Sequence, residues 1–246
     1  MELSKSLKVD STKGGFFSCS TLALDMVIRY LKNNKELPKE LDRSAQYSSL
    51  KERQTDDLAS MYFMEETIEE IITPIDYNGF SLNVPFKDYE KIPFERINPI
   101  IEGYFTPSWL VVGKYTYLLE KYDLDPSKLI SIINDGSDIK SKEKSYNTLI
   151  DKAYELQEMR LDDKFLVLSD DLGFNIAFLK EFPEAIVIDE APYINAPIEQ
   201  RADINGWLFA ALLVASESDY LITKNGHLSL WSILYRGNSD NIIRVK

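Results

Sequence analysis

This sequence predicts an α/β protein whose C-terminal half is a mostly parallel sheet with helices on both faces. Two observations carry that expectation. From residue 109 onward, short apolar runs alternate with longer stretches whose apolar positions recur at helical spacing. The apolar runs also end in polar clusters, and in open parallel sheets ligands bind beyond the carboxyl ends of the strands. Composition agrees: 44% hydrophobic and 28% charged residues suffice for a buried core and do not describe a disordered chain.

Taken in order, the elements begin with helix signals. Ser20-Thr21 stands before Leu22, Leu24, Met26, Val27, Tyr30 and Leu31, an apolar stripe near helical spacing that stops at Asn33-Asn34. Thr67-Ile-Glu-Glu-Ile-Ile reads as a second helix, broken by Pro74 and the turn signal Tyr77-Asn78-Gly79. Four prolines between residues 80 and 107 suggest loops and short elements leading to a crossover. The predicted boundary divides the chain into lobes 1–108 and 109–246. In the second lobe, residues 109–123, 145–159, 172–180, 207–215 and 229–235 read as helices. Residues 129–133, 164–169, 185–188 and 220–223 read as strands. Four clusters then fall on one sheet edge: Asn134 to Asp138, Ser169 to Asp171, Asp189-Glu190, and Lys224 to Ser229.

Charge and rare residues narrow the function. A net charge of −12 and a pI near 4.7 disfavour nucleic acid and anionic membrane surfaces as partners. A small phosphorylated ligand is compatible, because local cations and helix N-termini hold it. With one histidine, His227, and one cysteine, Cys19, zinc sites of the usual ligand sets cannot be assembled. A Cys-His catalyst would require those two residues to meet. The lone cysteine suits a reducing compartment, the N-terminus lacks a signal-type apolar core, and no run approaches the ~20 apolar residues of a membrane span. The expected location is the cytoplasm, that of a host cell if the protein is viral, without a membrane anchor.

Three segments carry a family resemblance. Phe165-Leu-Val-Leu-Ser-Asp-Asp-Leu-Gly-Phe is similar to the F-x-x-x-S-D-[DE]-x-x-[FW] strand–turn–helix of fucosyltransferase-like enzymes and of small viral-type glycosyltransferases of GT-B architecture. Ser218-Asp-Tyr-Leu-Ile-Thr-Lys-Asn-Gly-His-Leu-Ser-Leu-Trp-Ser resembles their C-x-x-x-I-x-x-x-[SG]-x-[FL]-S-x-W segment. Gly14-Gly-Phe-Phe-Ser-Cys-Ser is similar to the G-G-F-F-S-C-C-S opening of glycosyltransferase-like proteins of large DNA viruses. The resemblance spans roughly residues 129–238 plus that opening. It implies a GT-B-like fold of two Rossmann-like lobes, acceptor lobe first and donor lobe second. The implied reaction moves one sugar from a UDP- or GDP-linked donor to a glycan acceptor, inverting at the anomeric carbon. The alternative is a non-catalytic nucleotide- or glycan-binding domain of the same fold.

One departure matters. Where the family carries an arginine for the diphosphate, this chain has Asn134, Asp135, Gly136 and Asp138, with Asp138 the clearest remaining match. Arg236, Lys224 or Lys140 is available to supply the missing charge, and a donor other than GDP-fucose becomes admissible.

The chemistry expected at the edge follows from the leaving group. A departing diphosphate is stabilised by helix N-termini and cations without requiring a metal. The segment Lys224, Asn225, Gly226, His227, Ser229 offers a cation, a close-approach glycine and a helix-capping hydroxyl. His227 is either a phosphate contact or a turn histidine, and Gly226 serves either close approach or a special φ. Ser169, Asp170 and Asp171 bind donor or cap the next helix. Asp189 and Glu190 bind ribose or sit in a solvated loop. Trp207 and Trp231 read as core. The Asp-x-Asp at 123–125 ends a helix instead of a buried strand and is discounted as a metal motif. No metal or cofactor is expected; the nucleotide sugar is a co-substrate. Phe16, Ser18 and Tyr77 are the expected acceptor contacts. The expected catalytic base is Asp76, delivered to a turn by an apolar element, with Asp25 and Asp10 as alternatives.

Overall fold

A computed structural model describes residues 6–9, 15–43, 58–64, 91–134, 142–191 and 198–245. The first half runs β1 (Ser6–Lys8), α1 (Phe16–Asn34), β2 (Glu40–Asp42), α2 (Leu58–Tyr62), β3 (Phe63–Met64), α3 (Phe94–Tyr104) and β4 (Thr106–Pro107). The second half runs α4 (Trp109–Lys121), a 3-10 turn (Pro126–Lys128), β5 (Leu129–Asn134), α5 (Lys142–Met159), β6 (Lys164–Ser169) and α6 (Leu172–Glu181). It closes with β7 (Ile186–Val187), α7 (Ile198–Glu217), β8 (Tyr220–Thr223), α8 (His227–Arg236) and β9 (Ile242–Arg244).

Strands β5 to β9 form one parallel sheet of order β7-β6-β5-β8-β9. Every residue of β5 is buried, as a central strand covered on both faces requires. Its side chains alternate: Leu129 and Ile133 join the larger core, Ile130 and Ile132 the smaller one. Helices α5 and α6 cover the smaller-core face through Leu149, Ala153, Phe174 and Phe178. On the other face lie α7 and α8, with Phe209, Leu212 and Trp231, and α1 packs over them through Phe17, Leu24 and Val27. The chain winds outward from β5 to β7, then returns to place β8 on the other side of β5. That reversal between β5 and β8 is a topological switch point. The α/β class and the parallel sheet with helices on both faces are as the sequence predicted.

Residues before 109 contribute, among those described, α1 to α3, the parallel pair β1–β2 and the antiparallel pair β3–β4. The larger core takes residues from Val9 through Leu234, on both sides of the 108/109 boundary. No helix among the described residues is long and apolar enough to cross a membrane.

Several local expectations are corrected. Helix α1 begins at Phe16, not after Ser20-Thr21. Those two hydroxyls donate back inside the helix, to Phe16 O at 3.1 Å and Phe17 O at 2.8 Å, so they are satisfied in its interior and cap nothing. Helix α3 forms across the proline-rich stretch with Pro99 inside it, giving up the bond that residue 99 would donate to Glu95. Its compensation is burial of Ile97, Ile100 and Ile101. Strand β9 was not anticipated: a three-residue edge strand has too few positions to show a period. Asp10, Asp76, Tyr77, Asp135, Gly136, Asp138 and Lys140 lie outside the described residues.

Candidate functional site

At the switch point the strands deliver polar groups that bond sideways to one another. Asn134 ends β5 and Ser169 ends β6, directly opposite in register. Asn134 Nδ2 donates to Ser169 Oγ at 3.1 Å, and Ser169 Oγ also accepts from Asp171 N at 3.1 Å. On the other side Lys224, the residue after β8, donates from Nζ to Asn134 Oδ1 at 2.9 Å. A continuous polar chain therefore crosses three strand ends, from Lys224 through Asn134 and Ser169 to Asp171. Asn134 and Ser169 are 2% exposed, so the chain is fixed from beneath, while Lys224 is partly open. The sequence clusters at 134, 169–171 and 224 thus converge.

The following turn opens α8. Its N-cap is Gly226, which supplies no side-chain cap. Gly226 has φ 178° and ψ 170°, extended backbone that any residue adopts, so a special φ does not explain the glycine. Ser229 does not cap the helix as expected. It lies within the first turn, buried, and its Oγ bonds Thr223 Oγ1 across the strand–helix junction.

His227, partly buried, meets α1. Its Nδ1 lies 3.0 Å from Thr21 Oγ1. Thr21 has one hydroxyl proton, which goes to Phe17 O, and its oxygen also accepts from Trp231 Nε1 at 3.0 Å. With that proton spent, Nδ1 must carry the hydrogen and donate to Thr21. In the neutral ring, Nε2 then holds the lone pair. The pairing of Thr21 with His227 spans 206 residues and leaves no local signal in the sequence. Cys19, two positions along α1, is buried and turned away from that stripe, so the Cys-His reading is not realised.

The pairings Phe17–Trp231 and Thr21–His227 make α1 antiparallel to α8. Asp25 stands one turn beyond Thr21 on the same stripe of α1. Burial raises its carboxyl above the ordinary value, opposed by Arg29, whose Nε lies 2.8 Å from Oδ2.

Other expected site residues are occupied elsewhere. Asp171 caps α6, accepting from Gly173 N at 3.0 Å and Phe174 N at 3.4 Å, and takes the Tyr146 hydroxyl on its other oxygen. Burial, then Asp171, pushes Tyr146 up to about 12. Asp170 is exposed beside it. Glu190 pairs with Lys121 and accepts from Tyr122 Oη at 2.8 Å, while Asp189 N donates to Tyr122 Oη at 3.1 Å. Burial works to raise the Glu190 carboxyl, but Lys121 and Tyr122 outweigh it and hold the carboxyl below its usual value. The adjoining Asp123 accepts from Lys164, at the start of β6, through its backbone carbonyl at 2.9 Å. The Glu190 carboxylate is engaged by Lys121 and Tyr122, whereas that of Asp189 is exposed.

Arg236 lies at the far end of α8 from His227, about 13 Å at 1.5 Å per residue. Its guanidinium donates to the carbonyls of Ser216, Ser218, Asp219 and Asp240. It pins the chain there, away from the switch point. Phe16 is 3% exposed, ringed by Phe17, Tyr62, Phe63 and Phe209, so it is core and not an acceptor contact. Ser18 is partly exposed and donates to Gly15 O at 2.8 Å. Asn225 is partly buried beside the uncapped turn, its Oδ1 without a hydrogen-bond partner. Trp231 is core, whereas Trp207 is half-buried at the surface against Lys114 and Tyr117. Asp125 caps the 3-10 turn through Ser127 N at 3.1 Å, a structural role for the Asp-x-Asp. Among the described residues no three of His, Cys, Asp or Glu gather as a metal-ligand set. No protein-family model matches this chain, and comparison with curated proteins finds no match.

Proposed function

We propose that this protein is a glycosyltransferase that binds a nucleotide diphosphate sugar at the β5–β8 switch point and transfers the sugar, with inversion, to a glycan acceptor. The observation that supports it is the polar chain from Lys224 to Asp171 beside the uncapped start of α8. A diphosphate at that helix start would meet backbone N–H groups, the positive end of the helix and Lys224. As the leaving group departs, the same donors meet growing negative charge without reorganising. His227, holding its Nδ1 proton on Thr21, offers Nε2 to a phosphate or leaving oxygen, as a donor when the ring is protonated.

Inverting transfer also needs a base for the acceptor hydroxyl. Asp76 is the base the sequence favours, with Asp25 and Asp10 as alternatives; Asp25 stands on the same stripe of α1 as Thr21, which meets His227 at the start of α8. On this reading the first 108 residues form the acceptor side, with the parallel β1–β2 pair as part of a second Rossmann-like lobe.

A second reading, nucleotide binding without transfer, has one observation in its favour: Arg236 is spent on four carbonyls and leaves the site one cation short of the family pattern. A thermal-shift screen against UDP-, GDP-, CMP- and dTDP-sugars, followed by assays of donor hydrolysis and transfer with and without EDTA, separates these readings. Ligand binding to the native state raises the melting temperature by mass action. A shift with EDTA-resistant turnover is expected. A shift without turnover favours the binder, transfer restored only by manganese or magnesium contradicts the metal-free mechanism, and no shift with any nucleotide sinks both readings.

A further inference from the structure

A cleft of about 270 Å3 opens between α3 and the C-terminal end of α8, remote from His227. That volume lies just below the roughly 300 Å3 at which drug-sized ligand sites begin, so its occupant is small. The side chains of Ile101, Pro107 and Leu234 give it an apolar wall.

The polar groups in the lining are mostly acceptors. Asn98 spends its Nδ2 on Gly237 O at 3.3 Å, and its Oδ1 is buried with no hydrogen-bond partner. Glu102 adds an exposed carboxylate that no cation among the described residues pairs with. Helices α3 and α8 both end here, each bringing the negative end of its dipole. The cation in the lining, Arg236, directs its guanidinium to the four carbonyls already described. Gly237, at φ 71°, allows the close approach: a Cβ there would stand 3.0 Å from Asn98 Nδ2.

We infer that this cleft is a binding site for a small organic ammonium ion, a primary amine on a short aliphatic body. The ammonium would donate to Glu102 and to Asn98 Oδ1, and the alkyl part would lie on Ile101, Pro107 and Leu234. The inference is independent of the nucleotide-sugar reading, since it uses the other end of α8.

The test is titration of the full chain with n-butylammonium chloride, followed by amide NMR, with n-butanol and sodium butyrate at matched ionic strength as controls. Saturable shifts at Thr106 and Gly237 are expected for the ammonium, with both controls at least ~10-fold weaker. Glu102→Gln, at an exposed position that folding does not depend on, should weaken the ammonium at least ~5-fold and leave n-butanol unchanged. Equal binding of all three compounds, no saturable shift at Thr106 and Gly237, or an unaltered affinity in Glu102→Gln would each overturn it.

Discussion

Two strand–turn–helix units of the same sheet, β6–α6 and β8–α8, solve the same problem in opposite ways. Both must satisfy the orphan N–H groups where a helix begins. In the first, Asp171 accepts from Gly173 and Phe174, and the helix start is closed by its own side chain. In the second, Gly226 has no side chain to accept from the start of α8. Both motifs look alike in the sequence, each a polar turn after an apolar strand. The difference teaches that a polar turn becomes a candidate anion site where its N-cap residue brings no side-chain acceptor of its own, whatever its composition.

The largest effect expected on this contrast concerns catalysis at the open end. Asp25→Asn should lower transfer by at least ~100-fold, the usual scale for losing a general base, while nucleotide binding persists. Stability supplies a control with a defined sign. Because the folded pKa of Asp25 lies above its ordinary 3.8, the native state retains a proton that the unfolded state has released. Stability from this group is therefore highest in acid and declines as pH rises through the range beginning at 3.8. The melting temperature of Asp25→Asn relative to wild type should rise between about pH 3 and about pH 7. Near-normal turnover would remove Asp25 from the role of base.

Next come the two ends of α8. Arg236→Ala should cost ~2–3 kcal/mol of stability in urea unfolding, by stranding partly buried carbonyls, and leave nucleotide affinity unchanged. A loss of affinity with little loss of stability would return Arg236 to the donor site. Gly226→Asp converts the open turn into the closed kind: a few tenths of a kcal/mol more stable, yet ~10-fold or more weaker for nucleotide, because the new carboxylate takes the phosphate's place. If calorimetry finds affinity unmoved, phosphates are held elsewhere. Lys224→Ala should weaken nucleotide binding by ~1–3 kcal/mol without unfolding the protein. The smallest effect belongs to the closed turn: Asp171→Ala should lower stability by ~1 kcal/mol through loss of the cap and spare nucleotide affinity.

What was legible in the sequence divides along the same line. The short apolar run of β5 and the helical stripes between strands are local patterns, so the parallel sheet and the convergence of Asn134, Ser169 and Lys224 on one edge could be read from residue order. The partner of each polar group could not. Whether Glu190 faces a ribose or Lys121, and whether Arg236 reaches a phosphate or the carbonyls ending α7, depends on contacts between segments distant in the chain. The pairing of Thr21 with His227 is of the same kind. Phe16 shows the limit differently: its motif suggested a ligand contact, but four neighbouring rings claim it.

The position of β5 has a consequence for biosynthesis. It is the first strand of the sheet to leave the ribosome, and β6 and β7 can pair outward from it as they emerge. Its other edge must wait for β8, which is made only after residue 219. Throughout that interval β5 presents an unpaired backbone edge and a strand whose side chains are all destined for the interior, the kind of surface that recruits foreign strands. Synthesis therefore passes through a stage in which a half-sheet exists with its wholly buried strand on the outside. The arrival of β8, which creates the switch point, also ends that exposure.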